Sequence, residues 1–228
     1  MKIGIIGAME KEIEALRADM TEKTTRVISG MRFDEGKLCG RDVVLAVAGI
    51  GKVNAAMCTQ TMILTYAPNA ILNTGVAGGI GKGLRVMDVV VATAVAQHDL
   101  DTTAFGDPMG LIPGLNVVEM PCDETVCRDV IAAAERIGVD PKRGLVVSGD
   151  QFIASKEKID GIKAHFDALA AEMEGASIGQ VCSVNKVPFA VIRAISDGGN
   201  EEAGMDYPQF VKLAAARSVQ LVEEYLRA

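Results

Sequence analysis

The sequence predicts a single α/β domain spanning residues 1–228. Three observations carry this. Short apolar, β-branched runs alternate with longer stretches of helical periodicity. No repeat, low-complexity tract or linker divides the chain. The 228 residues, 49% hydrophobic and 23% charged, suffice for one large buried core. Trp is absent and aromatics make up only 4%, so that core must be aliphatic.

The elements follow in order. Residues 2–6 read as a buried strand, and residues 9–20 as a helix with Met9, Ile13, Leu16 and Met20 on one face. Residues 26–29 and 31–38, parted by Gly30, suggest a hairpin, with a further strand at 43–47 and a helix over 53–65. Strands at 70–73 and 88–96 flank a glycine-rich loop. Residues 98–121 lack periodicity and predict a long irregular loop, a class often tied to function. A helix over 124–137, closed by Gly138, precedes a strand at 144–147, and a helix over 175–184 precedes a strand at 189–195. The last helix, 207–226, carries Phe210, Leu213, Ala214, Leu221 and Tyr225 on one face, interrupted by Arg217 and Ser218. Helices between strands favour a largely parallel sheet, to which the hairpin adds antiparallel pairing.

Bulk chemistry excludes several functions. A net charge of −7 with no basic stripe disfavours nucleic acid, so a ligand is held by local groups rather than by a general field. Five cysteines, at 39, 58, 122, 127 and 182, have irregular spacing and no CxxC pair, with only His98 and His165 as nitrogen ligands. Neither a disulfide framework nor a metal site is predicted, and the thiols read as reduced and mostly buried. The first apolar run is broken by Glu10, Lys11 and Glu12, too soon for a signal peptide. No run is long enough to cross a membrane. A cytoplasmic protein is expected.

In open α/β sheets ligands bind beyond the carboxyl ends of the strands. Four predicted strands end in glycines or acidic groups, at residues 7–12, 74–79, 148–153 and 196–199. Neither a P-loop nor a Gly-x-Gly-x-x-Gly string occurs, which argues against nucleoside triphosphates and dinucleotides. The glycines at 75, 78 and 79 admit two readings, a tight turn or a close approach of backbone to a ligand. Glu12 borders the apolar face of its helix, where partial desolvation would raise its pKa; a solvated, inert glutamate is the alternative. Glu172 and Glu174 flank Met173 after an apolar run, and either need partners or complement a helix N-terminus. Arg193 inside a buried strand wants a carboxylate. Asp197 follows that strand, as a site residue or as the cap of a turn. Neither histidine has a supporting cluster.

Six strings, in order and along nearly the whole chain, resemble the bacterial methylthioadenosine/S-adenosylhomocysteine nucleosidases: GIIGAMEKE (4–12), NTGVAGG (73–79), TAFG (103–106), SGDQFI (148–153), EME (172–174) and RAISD (193–197). The resemblance implies the nucleoside phosphorylase fold, a twisted central mixed sheet flanked by helices. It implies a homodimer with no metal or organic cofactor, acting on an adenine thionucleoside. By the same resemblance Asp197 is the general acid at purine N7, positioned by Ser196 and the glycines of the 74–79 segment. The carboxyl of a solvated Asp has a pKa of ~3.9 and must be raised to carry that proton near neutrality. Glu12 activates water on the opposite face, as in an inverting glycosidase. Glu174 binds the ribose hydroxyls and steadies the cation, Arg193 orders these carboxylates, and Glu172 is counted among the substrate-binding residues. Phe152 stacks on adenine and the Ile153 backbone reads its polar edge. Val76, Ala77 and Gly78 lie against the nucleoside. Met9, Ile50, Met173 and Tyr207 line the alkylthio pocket, with Thr102, Phe105 and Pro113 reaching in from the partner subunit.

Two residues depart from the family pattern. Val76 stands where serine is common, removing a hydroxyl near the water or ribose. Tyr207 stands where phenylalanine is common, adding one that favours a polar 5′ tail. A phosphorylase on the same fold would need cations at the end of the first strand; the chain offers Glu12 there, and Lys11 projects another way. A nucleoside-binding protein without turnover is the rival of a different class, against which Glu12, Glu174 and Asp197 together argue.

Overall fold

The computed structural model describes residues 1–198 and 203–228. β1 (Ile3–Gly7) is buried along its whole length, as a strand covered on both faces must be. It pairs in parallel with β4 (Arg41–Val47) and with β5 (Ala70–Gly79). α1 (Glu10–Ala18) turns Ile13 and Leu16 into the core, as their spacing predicts. It stops short of Met20, which is buried in the connection to β2 (Thr21–Ile28).

The predicted hairpin is part of a larger meander of β2, β3 (Met31–Leu38) and β4. Its two turns, Ser29-Gly30 and Cys39-Gly40, hold both residues at positive φ, the hand that matches strand twist. The first residues of β2 escape a reading by periodicity because the strand is exposed and polar throughout that stretch, the dress of a protected sheet edge.

One expectation is overturned at the glycines. Residues 74–79 are not a loop but the second half of β5, which pairs in parallel with β10 (Phe189–Asp197) from Ile71 to Gly78. The glycines answer crowding: a Cβ on Gly75 would lie 2.7 Å from Glu12 Oε1, and one on Gly79 2.9 Å from Ile195. At Gly75 the crowding comes from the chain's own Glu12 carboxyl, which neither reading named.

β10 also pairs antiparallel with β6 (Val89–Gln97). β6 runs parallel to β8 (Lys142–Ser148), β8 parallel to β9 (Ala168–Glu172), and β9 returns antiparallel to β5. Strands β5, β10, β6, β8 and β9 therefore close a ring, from which β1, β4, β3 and β2 extend as a mixed sheet. Helices α2 (Lys52–Tyr66), α3 (Glu124–Arg136), α4 (Lys156–Lys163), α5 (Gly175–Asn185) and α6 (Ala203–Arg227) cover it with α1. α4 was not foreseen, since only Ile159 and Ile162 face inward; Ser155 caps it, accepting from Lys158 N at 3.3 Å. The 98–121 segment is irregular apart from a 3₁₀ turn at Thr103–Phe105 and the short β7 (Glu119–Pro121), which pairs with β6.

α6 corrects a predicted face. Leu213 is 56% exposed and Phe210 only half-buried, while Val211, Ala214, Ala215, Ser218, Leu221, Val222 and Tyr225 face inward. The helix lies on β5 and β10, where small side chains fit. Ser218, read as an interruption, donates its hydroxyl hydrogen to Gly75 O at 3.1 Å. Among the described residues no helix is long and apolar enough to cross a membrane, and no cluster of His, Cys, Asp or Glu could hold a metal. All five cysteines are free, Cys39 half-buried and the others buried.

Candidate active site

The ends of β1, β5, β9 and β10 open on one cavity of about 270 Å³. Met9, Glu12, Ile50, Val76, Ala77, Gly78, Phe152, Glu172, Met173, Glu174, Ser196, Asp197 and Tyr207 all line it. Ala8 and Ala171 line it too and were not singled out; each directly precedes a predicted residue, and a methyl group carries no chemical signal of its own.

Glu12 sits in the first turn of α1 and is 3% exposed. Its Oε2 accepts from the amides of Ala8 and Met9, both at 2.8 Å, and its Oε1 from Val76 N at 3.2 Å. The Met9 bond is the reach-back half of a capping box. Burial pushes its pKa up, against Arg193 and these amides, which work to lower it. The border position read from the sequence is thus a buried one, and β5 must carry glycine at 75 to admit the carboxyl.

Glu172 ends β9 and Glu174 precedes α5, so the two are buried acids in need of partners and also stand at a helix N-terminus. Glu172 accepts from the guanidinium of Arg193, from the Ser148 hydroxyl and from the amides of Glu174 (3.1 Å) and Gly175 (2.8 Å). Burial alone would raise its pKa; Arg193 and these donors outweigh that and hold it below the usual carboxylate range. Arg193 is itself buried and also donates to Ile192 O at 2.9 Å and to the Asn73 side chain. Among the described residues Glu174 receives only the Gly51 amide, at 2.8 Å. Burial first, then the charge of Glu172, push its pKa up to about 8. The two glutamates differ because the single guanidinium is given to Glu172.

Asp197 ends β10 and is 1% exposed. Ser196 donates its hydroxyl hydrogen to Asp197 Oδ2 at 2.8 Å. A register shift between Ile195 and Asp197 accompanies the pairing of Asp197 with Gly78, and irregularities of this kind re-aim side chains beside active sites. Gly199, next in the predicted loop, lies outside the described residues.

At the rim, Tyr207 of α6 meets Phe152 edge-on at 5.5 Å between centroids, and its hydroxyl lies 3.3 Å from Met9 Sδ. Lys11 Nζ lies 4.8 Å from the centroid of the Tyr207 ring. The segment carrying Phe152 is tied down from behind. Lys52 Nζ reaches Asp99 Oδ1 at 2.6 Å and Gln97 Oε1 at 3.0 Å; Asp99 Oδ2 accepts from Asp150 N at 2.8 Å, and Asp150 Oδ1 from Lys52 N at 2.8 Å. This knot carried no motif in the sequence.

Five expected residues lie off the cavity wall. Arg193 stands behind it, holding Glu172. Ile153 is buried beside Phe152. Thr102, Phe105 and Pro113 are outside the cavity of their own chain, and Phe105 is 87% exposed. His98 and His165, given no role, do not line it either.

An apolar cavity ringed by carboxyls, of which Glu172 is neutralised by Arg193, suits a neutral ligand that develops positive charge. Among the described residues no cationic side chain lines the wall to hold a phosphate. The chain's sequence matches the phosphorylase superfamily over residues 2–227. It is 46% identical over 228 residues to the 5′-methylthioadenosine/S-adenosylhomocysteine nucleosidase of Haemophilus influenzae (strain PittEE), covering 99% of each chain. The crystal structure of the Neisseria meningitidis nucleosidase of the same name, in complex with methylthio-immucillin-A, superposes with a TM-score of 0.96 at 42% identity, covering 99% of this chain and 98% of that one. The Streptococcus pyogenes S-adenosylhomocysteine nucleosidase in complex with 5-methylthiotubericidin gives 0.95 at 35% identity, covering 100% and 96%.

Proposed function

Because the chain belongs to the phosphorylase superfamily, among its 5′-methylthioadenosine/S-adenosylhomocysteine nucleosidases, we propose that it hydrolyses the N-glycosidic bond of both nucleosides, with Asp197 as acid and Glu12 activating water. The products are adenine and the 5-thioribose compound. Asp197 protonates N7, so that adenine leaves as a neutral base rather than as an anion. Glu12 lies on the opposite side of the sugar and takes a proton from the attacking water. Glu174 receives the ribose hydroxyls and, in its ionised form, stabilises the oxocarbenium-like transition state. Phe152 stacks on the base, and Met9, Ile50, Met173 and Tyr207 accept the alkylthio group, for which soft apolar side chains are suited. This acid–base chemistry calls for no metal or organic cofactor.

The observation that carries the reading is the meeting of Glu12, Glu174 and Asp197, from three distant parts of the sequence, on one small apolar cavity. Water rather than phosphate as nucleophile follows from the carboxylate of Glu12 beside the nucleophile position. The reading includes a cytoplasmic location and a homodimer. Exposed Val53, Met57 and Leu64 on α2 and Val184 on α5 support a covered apolar face. Such a dimer would let Thr102, Phe105 and Pro113 complete the partner's alkylthio pocket.

The test is adenine release from each nucleoside in phosphate-free buffer and again with phosphate added. Release at the same rate in both is expected. A strict need for phosphate makes the protein a phosphorylase and removes the role given to Glu12; tight binding without release makes it a binding protein.

A further inference from the structure

Every titratable side chain on the cavity wall is an acid or a phenol: Glu12, Glu172, Glu174, Asp197 and Tyr207. The whole chain carries a net charge of −7. The two nucleosides are identical as far as the 5′ sulfur and differ beyond it. One ends in a methyl group, the other in an amino-acid tail bearing a carboxylate. Such a surface attracts the ammonium of that tail but repels its carboxylate unless a cation meets it locally.

The cations near the site are accounted for one by one. Arg193 is buried on Glu172. Lys52 is bound to Asp99 and Gln97. Arg17, one turn further along α1, holds Glu10 and Asp34. Lys11 differs. Among the described residues it has no ion-pair partner, and its ammonium rests 4.8 Å from the centroid of the Tyr207 ring. Tyr207 lines the cavity and bridges Met9 and Phe152 at the rim. A cation on an aromatic face is held in place while its three N–H donors remain open to an acceptor.

We infer that Lys11, held over Tyr207 at the mouth of the cavity, receives the carboxylate of the amino-acid tail and sets the preference for S-adenosylhomocysteine over methylthioadenosine. This rests on the proposed nucleosidase reaction. The tail leaves the cavity past Met9 and Tyr207, its carboxylate accepts from Nζ of Lys11, and the methylthio substrate makes no such contact. Lys11 acts on substrate choice and not on the chemical step, because the bond that breaks lies at the other end of the ribose.

The experiment measures kcat and KM for both nucleosides with the wild type, Lys11→Met and Lys11→Glu, each at low and at high salt. Methionine keeps the apolar stem of the lysine. The ratio of kcat/KM for S-adenosylhomocysteine to that for methylthioadenosine should fall about three- to fivefold in Lys11→Met, as for a solvent-exposed ion pair, and further in Lys11→Glu, with the loss in KM. Salt should lower the ratio more in the wild type than in Lys11→Met, since screening weakens the exposed pair that only the wild type has. A ratio unmoved by both substitutions, with the same salt response in the wild type and Lys11→Met, overturns the role of Lys11 and leaves the reaction standing. A wild type that releases adenine from neither nucleoside overturns the reaction, and the role of Lys11 with it.

Discussion

Arg193 and Glu172 form a buried ion pair that joins the middle of β10 to the end of β9. The pair separates the charge states of Glu172 and Glu174. It leaves Glu172 ionised, and Glu174, two residues on, must bear both burial and that neighbouring charge. Breaking such a pair from one side leaves an uncompensated charge, which costs about 3–5 kcal/mol. Arg193→Met should therefore lose about that much stability at neutral pH in urea unfolding. Part of the loss should return on acidification, as Glu172 becomes able to take a proton. A variant as stable as the wild type at neutral pH would show that Arg193 does not neutralise Glu172.

Glu174 gives a pH dependence of definite sign. Its folded pKa, about 8, lies above the 4.5 of the unfolded chain. The folded state therefore holds a proton that the unfolded state releases between these values, and stability falls as pH rises. The contribution is fully present below about pH 4.5 and is lost as pH rises through about 8. Glu174→Gln cannot ionise. Its Tm should match the wild type near the lower limit and exceed it increasingly toward the upper one. Thermal melts of both proteins across that range check this; parallel curves would mean Glu174 titrates normally.

How far the sequence discloses the site depends on which interactions announce themselves along the chain. Buried parallel strands do, because both faces must be apolar; β1 and β10 are legible for that reason. Glu12 is legible as a helix-border residue, although only the fold shows that Val76 N and Gly75 close around it. Gly75 and Gly79 read as part of a loop because a strand crowded by neighbouring side chains and a turn demand the same residue. α6 misleads because packing on a sheet favours Ala214 and Ala215 over the larger Leu213, against hydrophobicity. Lys52, Asp99 and Asp150 are invisible, since their meeting depends on contacts between residues roughly fifty or more positions apart.

The acid and the water-activating group can be separated by what each variant retains. Asp197→Asn keeps the size of the side chain, and its carbonyl oxygen can still accept from Ser196, so the fold should persist. With no proton to give N7, turnover should fall ~10²-fold or more. Glu12→Gln keeps the acceptor for the Ala8 and Met9 amides but cannot take a proton from water. Ligand binding should survive while hydrolysis is lost. Single-turnover adenine release paired with equilibrium binding of methylthioadenosine distinguishes the two roles. Near-normal turnover in Asp197→Asn removes it as the acid, and loss of binding alone in Glu12→Gln removes water activation.

Lys52 tests whether the adenine end is held from behind. Its ammonium joins Asp99 to Gln97, its amide holds Asp150, and the amide before it, from Gly51, donates to Glu174. Asp99 in turn holds the amide of Asp150, two residues before Phe152. Lys52→Met removes the charge but not the stem. The loop that carries Phe152 then loses its anchor, while Glu12 and Asp197, held by other partners, stay in place. Misplacement of a positioning element costs binding geometry before chemistry. KM for either nucleoside should rise about tenfold with a smaller fall in kcat, and Lys52→Arg, which keeps the pair with Asp99, should restore much of the loss. A fall in kcat at constant KM would instead mean that the Gly51 amide and Glu174, rather than the adenine loop, depend on this lysine.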